Sequence, residues 1–271
     1  VSDGFPAREI DTSRPHPARM YDYYLGGKDN YEVDREAAQS VIDVFPDIVP
    51  TTRANRAFMH RAVRLLAERG IRQIVDIGTG IPTSPNTHEV AHAVSPDVRV
   101  AYVDNDPIVA THAGARLLGA DHTGFVLADL RDPRAVLGHP AIGELIDLDQ
   151  PVGLLMVAVL HFLTDAEDPV GLVAAYREAL PAGSLLVLSH ATGDFHRHDH
   201  GIDRARDVYQ DKKATATVTT RTREEIAALF DGFEMVDPGL VQLPLWHPDG
   251  PVPGPEELRH IGVYGGVARK P

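Results

Sequence analysis

The chain has 271 residues, a formal net charge of -13 and no cysteine. That length suffices for one α/β domain with an N-terminal extension, and the missing thiols exclude disulfides and thiolate metal sites and fit a reducing cytoplasm. The acidic balance speaks against nucleic acid as a partner, because phosphate binding needs clustered cations, and only Lys28, Lys212, Lys213 and Lys270 add to the arginines.

The longest apolar run, residues 152–163, falls short of the ~20 residues that cross a bilayer. Val1-Ser-Asp-Gly has no basic flank with an apolar stretch behind it, so no signal peptide is expected. A cytoplasmic protein without a membrane partner is the expectation; the composition leaves the oligomeric state open.

In chain order, residues 1–17 read as a loosely held terminus. Residues 18–25 suit a short helix stopped by Gly26-Gly27. It carries Tyr21, Tyr23 and Tyr24, whose faces suit either packing or a cationic ligand held by the cation–π effect. Lys28, Asp29 and Asn30 follow in a turn. Asp34 reads as the N-cap of a helix to about residue 45. Pro46 and Pro50 read as breakers, and Thr52 as the cap of a helix over 53–69. Arg53, Asn55 and Arg56 then fall in a first turn, where two arginines oppose the helix dipole. A ligand role would explain them.

The apolar run 71–77 reads as a buried strand. It leads into Asp76-Ile-Gly78-Thr79-Gly80-Ile-Pro-Thr83 and a helix over 86–94. A glycine turn between strand and helix lets a ligand approach the backbone, and in open α/β sheets ligands bind there. A dinucleotide wants a third glycine where Thr83 stands. An adenosyl sulfonium needs none, and Asp76 suits its ammonium group. His88-Glu-Val-Ala-His92 matches the zinc-protease pattern, but this helix must pack on the sheet and no third ligand stands at a suitable distance.

A second strand, 99–104, ends in Asp104, about 24 residues after Gly80, near the spacing at which an acid meets ribose hydroxyls. A third, 124–128, runs into Asp129, which suits an adenine amino group. Asp106-Pro107, Asp132-Pro133 and Asp168-Pro169 each place a capping carboxylate before a proline preset for helix. Helices alternate with strands, so the sheet is largely parallel. The helix after Pro107 turns Ile108, Val109, Ala113 and Leu117 inward and ends at Gly119. Residues 151–159 form the fourth strand and run into Ala158-Val-Leu-His161. A helix over 170–180 and a fifth strand over 185–190 follow. Residues 193–213 are polar, with a helix near 202–210, and His196, His198 and His200 suit a solvated loop. Thr222-Arg-Glu-Glu225 is a capping box for a helix to 230. Strands at 233–236 and 260–269 close the sheet, with a proline-rich loop carrying Trp246 between them.

Asp76-Ile-Gly-Thr-Gly80, Tyr102-Val-Asp-Asn-Asp-Pro107 and Leu127-Ala-Asp-Leu130 resemble motifs I, II and III of class I S-adenosylmethionine-dependent methyltransferases. The runs from Arg19 to Asn30, Arg53 to Arg56 and Gly78 to Thr83 narrow the likeness to a bacterial S-adenosyl methyltransferase family long catalogued as a domain of unknown function. The resemblance spans about residues 14–269. It implies a Rossmann-like three-layer α/β sandwich with a seven-stranded, mostly parallel sheet in the order 3-2-1-4-5-7-6, strand 7 antiparallel. It implies S-adenosylmethionine as cofactor, with residues 1–52 a helical lid and 53–271 the binding domain. Asp76, Gly78, Thr79 and Gly80 would hold the amino-acid end, Asp104 the ribose, and Asn105, Asp129 and Leu130 the adenine. Tyr21, Tyr24, Asn30 and Arg53 would close over the site. The end of the fourth strand would face the methyl group, which makes Ala158 a contact and His161 the candidate base. The Asn/Asp-Pro-Pro-Tyr/Phe motif of many exocyclic-amine methyltransferases is absent. A small-molecule acceptor is therefore expected. A non-catalytic sensor of the same cofactor and a nicotinamide oxidoreductase are the alternatives.

Overall fold

A computed structural model describes residues 11–116, 121–195 and 201–271. Strands β1 (Gln73–Ile77), β2 (Arg99–Asp104), β3 (Thr123–Leu127), β4 (Gly153–Val157) and β5 (Leu185–Ala191) pair in parallel in the order β3-β2-β1-β4-β5. Two short strands, β6 (Glu234–Met235) and β7 (Val241–Gln242), both pair antiparallel with the last strand, β8 (Val263–Arg269). β8 itself pairs antiparallel with β5. The expected sheet is thus present with one addition. β7 is two residues long, so the closing strand is the eighth rather than the seventh.

Side chains alternate across the sheet with the strand period. Val75, Ile77, Ala101, Val103, Leu154, Met156, Leu186 and Leu188 face one core. It is covered by α6 (Pro133–Leu137), α7 (Pro140–Leu145), α8 (Pro169–Ala179) and α10 (Arg223–Ala228). Ile74, Val100, Tyr102, Leu155 and Val187 face the other, under α3 (Ile48–Glu68), α4 (Thr87–His92) and α5 (Pro107–Arg116). Trp246 is fully buried there, edge-on to Phe58 with ring centroids 5.2 Å apart. A third apolar cluster joins α1 (Pro17–Tyr24) and α2 (Glu32–Val44) to α9 (Gly201–Asp211) through Met20, Val41, Phe45 and Tyr209. The short α11 (Pro255–Leu258) precedes β8.

The Asp-Pro pairs act as expected. Asp106 Oδ1 accepts from Ile108 N–H, Asp132 Oδ1 from Ala135 N–H and Asp168 Oδ1 from Gly171 N–H, all within 3.0 Å. Thr222 caps α10 with Glu225 as its reciprocal partner. Two helix starts differ. α2 is capped by Tyr31, and Asp34 sits one turn in, accepting from Tyr31 N–H at 2.9 Å. α3 begins at Ile48 and carries Pro50 within its first turn, where backbone N–H groups lack helical partners and proline costs nothing. Thr52 is therefore interior, its hydroxyl donating to Ile48 C=O at 2.7 Å. The dipole penalty expected for Arg53 and Arg56 disappears, because both lie beyond the first turn. α3 also runs unbroken across the 52/53 boundary expected for the lid. Among the described residues no helix is long and apolar enough to cross a membrane. Leu117, Gly119, His196, His198 and His200 lie outside the described residues.

Candidate functional site

The carboxyl ends of β1, β2 and β4 open into a cleft of about 420 Å3. Asp76, Gly78, Thr79, Gly80, Asp104, Asn105, Leu130 and Ala158 line it, and α1 covers it with Tyr21. Gly78 and Gly80 adopt φ of +71° and +67°. That left-handed region favours glycine, and a Cβ on Gly78 would overlap the Val159 side chain. Asp104 ties the turn to β2: its Oδ2 accepts from Gly80 N–H at 2.8 Å and its Oδ1 from Asp106 N–H at 2.9 Å. Burial pushes its carboxyl up to about 6. Asp76 accepts from the Thr87 hydroxyl at 2.6 Å, and burial raises its carboxyl too, against the pull of Arg56.

Five expected site residues do not line this cleft. Arg53 is exposed on α3 and does not line the cleft; one turn on, Arg56 lines it instead. Its Nη2 donates to Thr83 and Pro85 carbonyls, and its Nε is buried without a partner. Asn30 stands behind the wall, donating to Asp22 Oδ2 at 2.7 Å, and Asp22 is the residue that reaches the cleft. Asp129 turns away because its carboxylate accepts from Arg131 N–H at 2.9 Å and pairs with the guanidinium; its neighbours Ala128, Leu130 and Arg131 line the cleft. Tyr24 and His161 border a second, adjoining cavity. Of the group Arg53, Asn55 and Arg56, the latter two line the cleft, and Asp22 joins them although nothing in the sequence marks it.

The histidines of His88-Glu-Val-Ala-His92 are engaged locally. His88 Nδ1 lies 2.8 Å from the Tyr102 hydroxyl, and His92 Nε2 lies 2.7 Å from Val98 C=O. No metal-holding cluster exists among the described residues. Over the cleft, the segment before α1 is strapped down. Arg14 Nε donates to Lys213 C=O at 2.8 Å and Thr215 N–H to Pro15 C=O at 3.0 Å. Thr215 and Ala216 complete the roof.

The model of the family described as S-adenosyl methyltransferase matches residues 3–271. The chain belongs to that family. S-adenosylmethionine is its cofactor. A DUF574 family protein from Streptomyces avermitilis is 44% identical, with 97% of this chain and 100% of that one aligned and a TM-score of 0.91. A candidate methyltransferase from Thermobifida fusca is 38% identical over 99% of both chains, with a TM-score of 0.89. The CurJ carbon methyltransferase shares the fold at 15% identity, over 85% of this chain and 60% of its own, with a TM-score of 0.53. No curated protein matches the chain.

The cleft fits the cofactor on its own chemistry. A methionine end is a zwitterion, and here an acid, Asp76, and a cation, Arg56, line the same end of the cleft and interact. A ribose is a vicinal diol, and a buried carboxylate, Asp104, stands at the next strand tip. The turn beside them has no side chain at Gly78 or Gly80. The third glycine of a dinucleotide turn is again Thr83, whose carbonyl is held by Arg56.

Proposed function

We propose that this chain transfers a methyl group from S-adenosylmethionine to a small-molecule acceptor. The observation that carries the reading is the pair of carboxylates at successive strand tips beside an unobstructed glycine turn, under a strapped helix. S-adenosylmethionine supplies a methyl group already activated on a sulfonium. The protein's task is then alignment and exclusion of water. Asp76 would accept from the ammonium group, with the Arg56 guanidinium at the carboxylate. Asp104 would accept from both ribose hydroxyls on lone pairs left free by its two backbone donors. Asn105, Ala128 and Leu130 would hold the adenine. Tyr21 and the chain around Pro17 would shut out water. Supporting a small acceptor, the space beyond Ala158 is narrow and walled by α1 and α9.

Calorimetry with S-adenosylhomocysteine tests the first half. Low-micromolar affinity is expected, and no heat on folded protein would sink the reading. Consumption of the donor with candidate acceptors tests the second half; binding without turnover for any acceptor would leave a sensor.

Affinity for S-adenosylhomocysteine should also depend on pH. Asp104 is ionised above about 6 and protonated below it, and only the ionised form accepts from two hydroxyls and two N–H groups at once. Kd is expected to be flat above about pH 7 and to rise by up to ~10-fold per unit below about 6, since one proton is linked to one site. Titrations at pH 5 and pH 7.5 that give equal Kd would exclude this role. Folding stability shows the opposite sign. The folded carboxyl binds its proton more tightly than the unfolded one does, so the Asp104 contribution falls as pH rises from 3.8 to about 6.

A further inference from the structure

Beyond the cleft lies a second cavity of about 100 Å3. Pro17, Tyr21, Asn55, Ala158 and Phe162 wall both spaces, so the two meet across the end of β4. Tyr24, Phe45, Ile48, Ile202, Tyr209 and Val263 make the far walls apolar. The one guanidinium on its border, Arg206, pairs with Asp203 at 3.2 Å on a side chain 38% exposed, so its charge faces outward.

The shared wall is fixed by a run of hydrogen bonds. Ala158, held at φ +55°, donates its N–H to Ser189 Oγ at 2.9 Å. Ser189 donates to Asn55 Oδ1 at 2.6 Å, Asn55 Nδ2 to the Tyr21 hydroxyl at 2.9 Å, and Tyr21 to Thr52 C=O at 3.3 Å. A left-handed alanine is a strained backbone, and such strain concentrates where a site must be shaped. These groups satisfy one another. His161 does not join them: it borders the second cavity with Nδ1 buried and unpartnered. Burial, with Arg221 behind it, holds the imidazole down to about 4, so it is neutral at neutral pH. A buried ring nitrogen without a partner is costly, and a ligand hydroxyl can remove that cost.

We propose that this chamber takes the body of the methyl acceptor, and that the acceptor is an uncharged, single-ring molecule bearing a hydroxyl. The proposal rests on the methyl-transfer reading above and names its substrate class. An apolar cavity of roughly 150 Å3 holds benzene; the chamber, at about 100 Å3, is smaller, and its junction with the cleft supplies the remaining room for one ring and no more. Apolar walls penalise a carboxylate or an ammonium that finds no counter-charge. In the step, a lone pair of the hydroxyl oxygen forms the bond to the methyl carbon. The carbon–sulfur bond breaks with its electron pair retained by sulfur. The hydroxyl proton passes to His161, which releases it to water. The products are a methyl ether and S-adenosylhomocysteine.

The test is binding of 4-methylphenol to protein saturated with S-adenosylhomocysteine, followed by calorimetry and by ligand NMR. A Kd below about 1 mM is expected for so small a ligand, with 4-hydroxybenzoate at least ~10-fold weaker because it carries a charge. Ala205→Phe and Ile202→Phe each fill the chamber from α9. Each should abolish 4-methylphenol binding while S-adenosylhomocysteine affinity stays within about twofold, and two variants guard against one failing to fold. His161→Phe keeps the volume and should remove the preference for 4-methylphenol over toluene. The proposal is overturned if 4-methylphenol does not bind the saturated protein, if it binds the filled variants unchanged, or if the charged ring binds equally well. Failure of S-adenosylhomocysteine itself to bind would instead strike the methyl-transfer reading.

Discussion

Asp104→Ala should weaken S-adenosylhomocysteine binding by at least ~100-fold, the largest loss expected of any side chain in the cleft. The substitution leaves Gly80 N–H and Asp106 N–H without their acceptor. It also removes the carboxylate that would meet the ribose. Hydrogen bonds to a charged acceptor are worth about 1.5–3 kcal/mol each, so losing two ligand contacts and the tether on the turn readily reaches 100-fold. Folding should change less, because removing a buried carboxylate relieves a desolvation penalty that partly offsets the lost bonds. A melting temperature within about 4 °C of the parent is expected. Asp104→Asn should fall between, since its amide keeps one acceptor but turns an N–H toward a donor. Calorimetry on all three proteins decides; equal affinities would remove Asp104 from the site.

Gly78→Ala should cost nearly as much, by a different route. At φ +71° an alanine is strained by about 1–2 kcal/mol, and its Cβ overlaps the Val159 side chain. Val159 is 8% exposed and cannot swing into solvent. The turn must shift, and Gly80 N–H moves off Asp104. Binding is expected to fall at least ~30-fold, with the melting temperature lowered by several degrees, in keeping with backbone strain of this size. Adding Val159→Ala relieves the closer of two overlaps, the one with Val159 Cγ2. The 2.8 Å approach of its Cβ remains, as does the strain in φ, so only part of the loss should be restored. Full recovery, or no change in the single variant, would show that the turn is not so constrained.

The frame of this molecule was legible because each of the first three strands combined an apolar run with an acid near its tip, and each Asp-Pro pair is a local device that needs no distant partner. Places where distant contacts decide were not legible. Pro50 reads as a breaker in sequence, but whether a proline ends a helix or opens one depends on what precedes it, and the chain from Ile48 is already helical. Within α3 it is Arg56, not Arg53, that falls on the side of the cleft. Asp129 shares the form of Asp76 and Asp104, a carboxylate after an apolar strand, yet its neighbour Arg131 claims it. Asn30, which the resemblance sets over the site, gives its amide to Asp22, eight residues earlier. β7 is two residues long, too short for any periodicity to announce it.

The strap before α1 has a kinetic meaning. Pro17 and Tyr21 form part of the roof of the cleft and part of the wall of the neighbouring chamber. A displacement of that stretch from residues 213–215 would alter both compartments at once, so the grip on donor and on acceptor would loosen together.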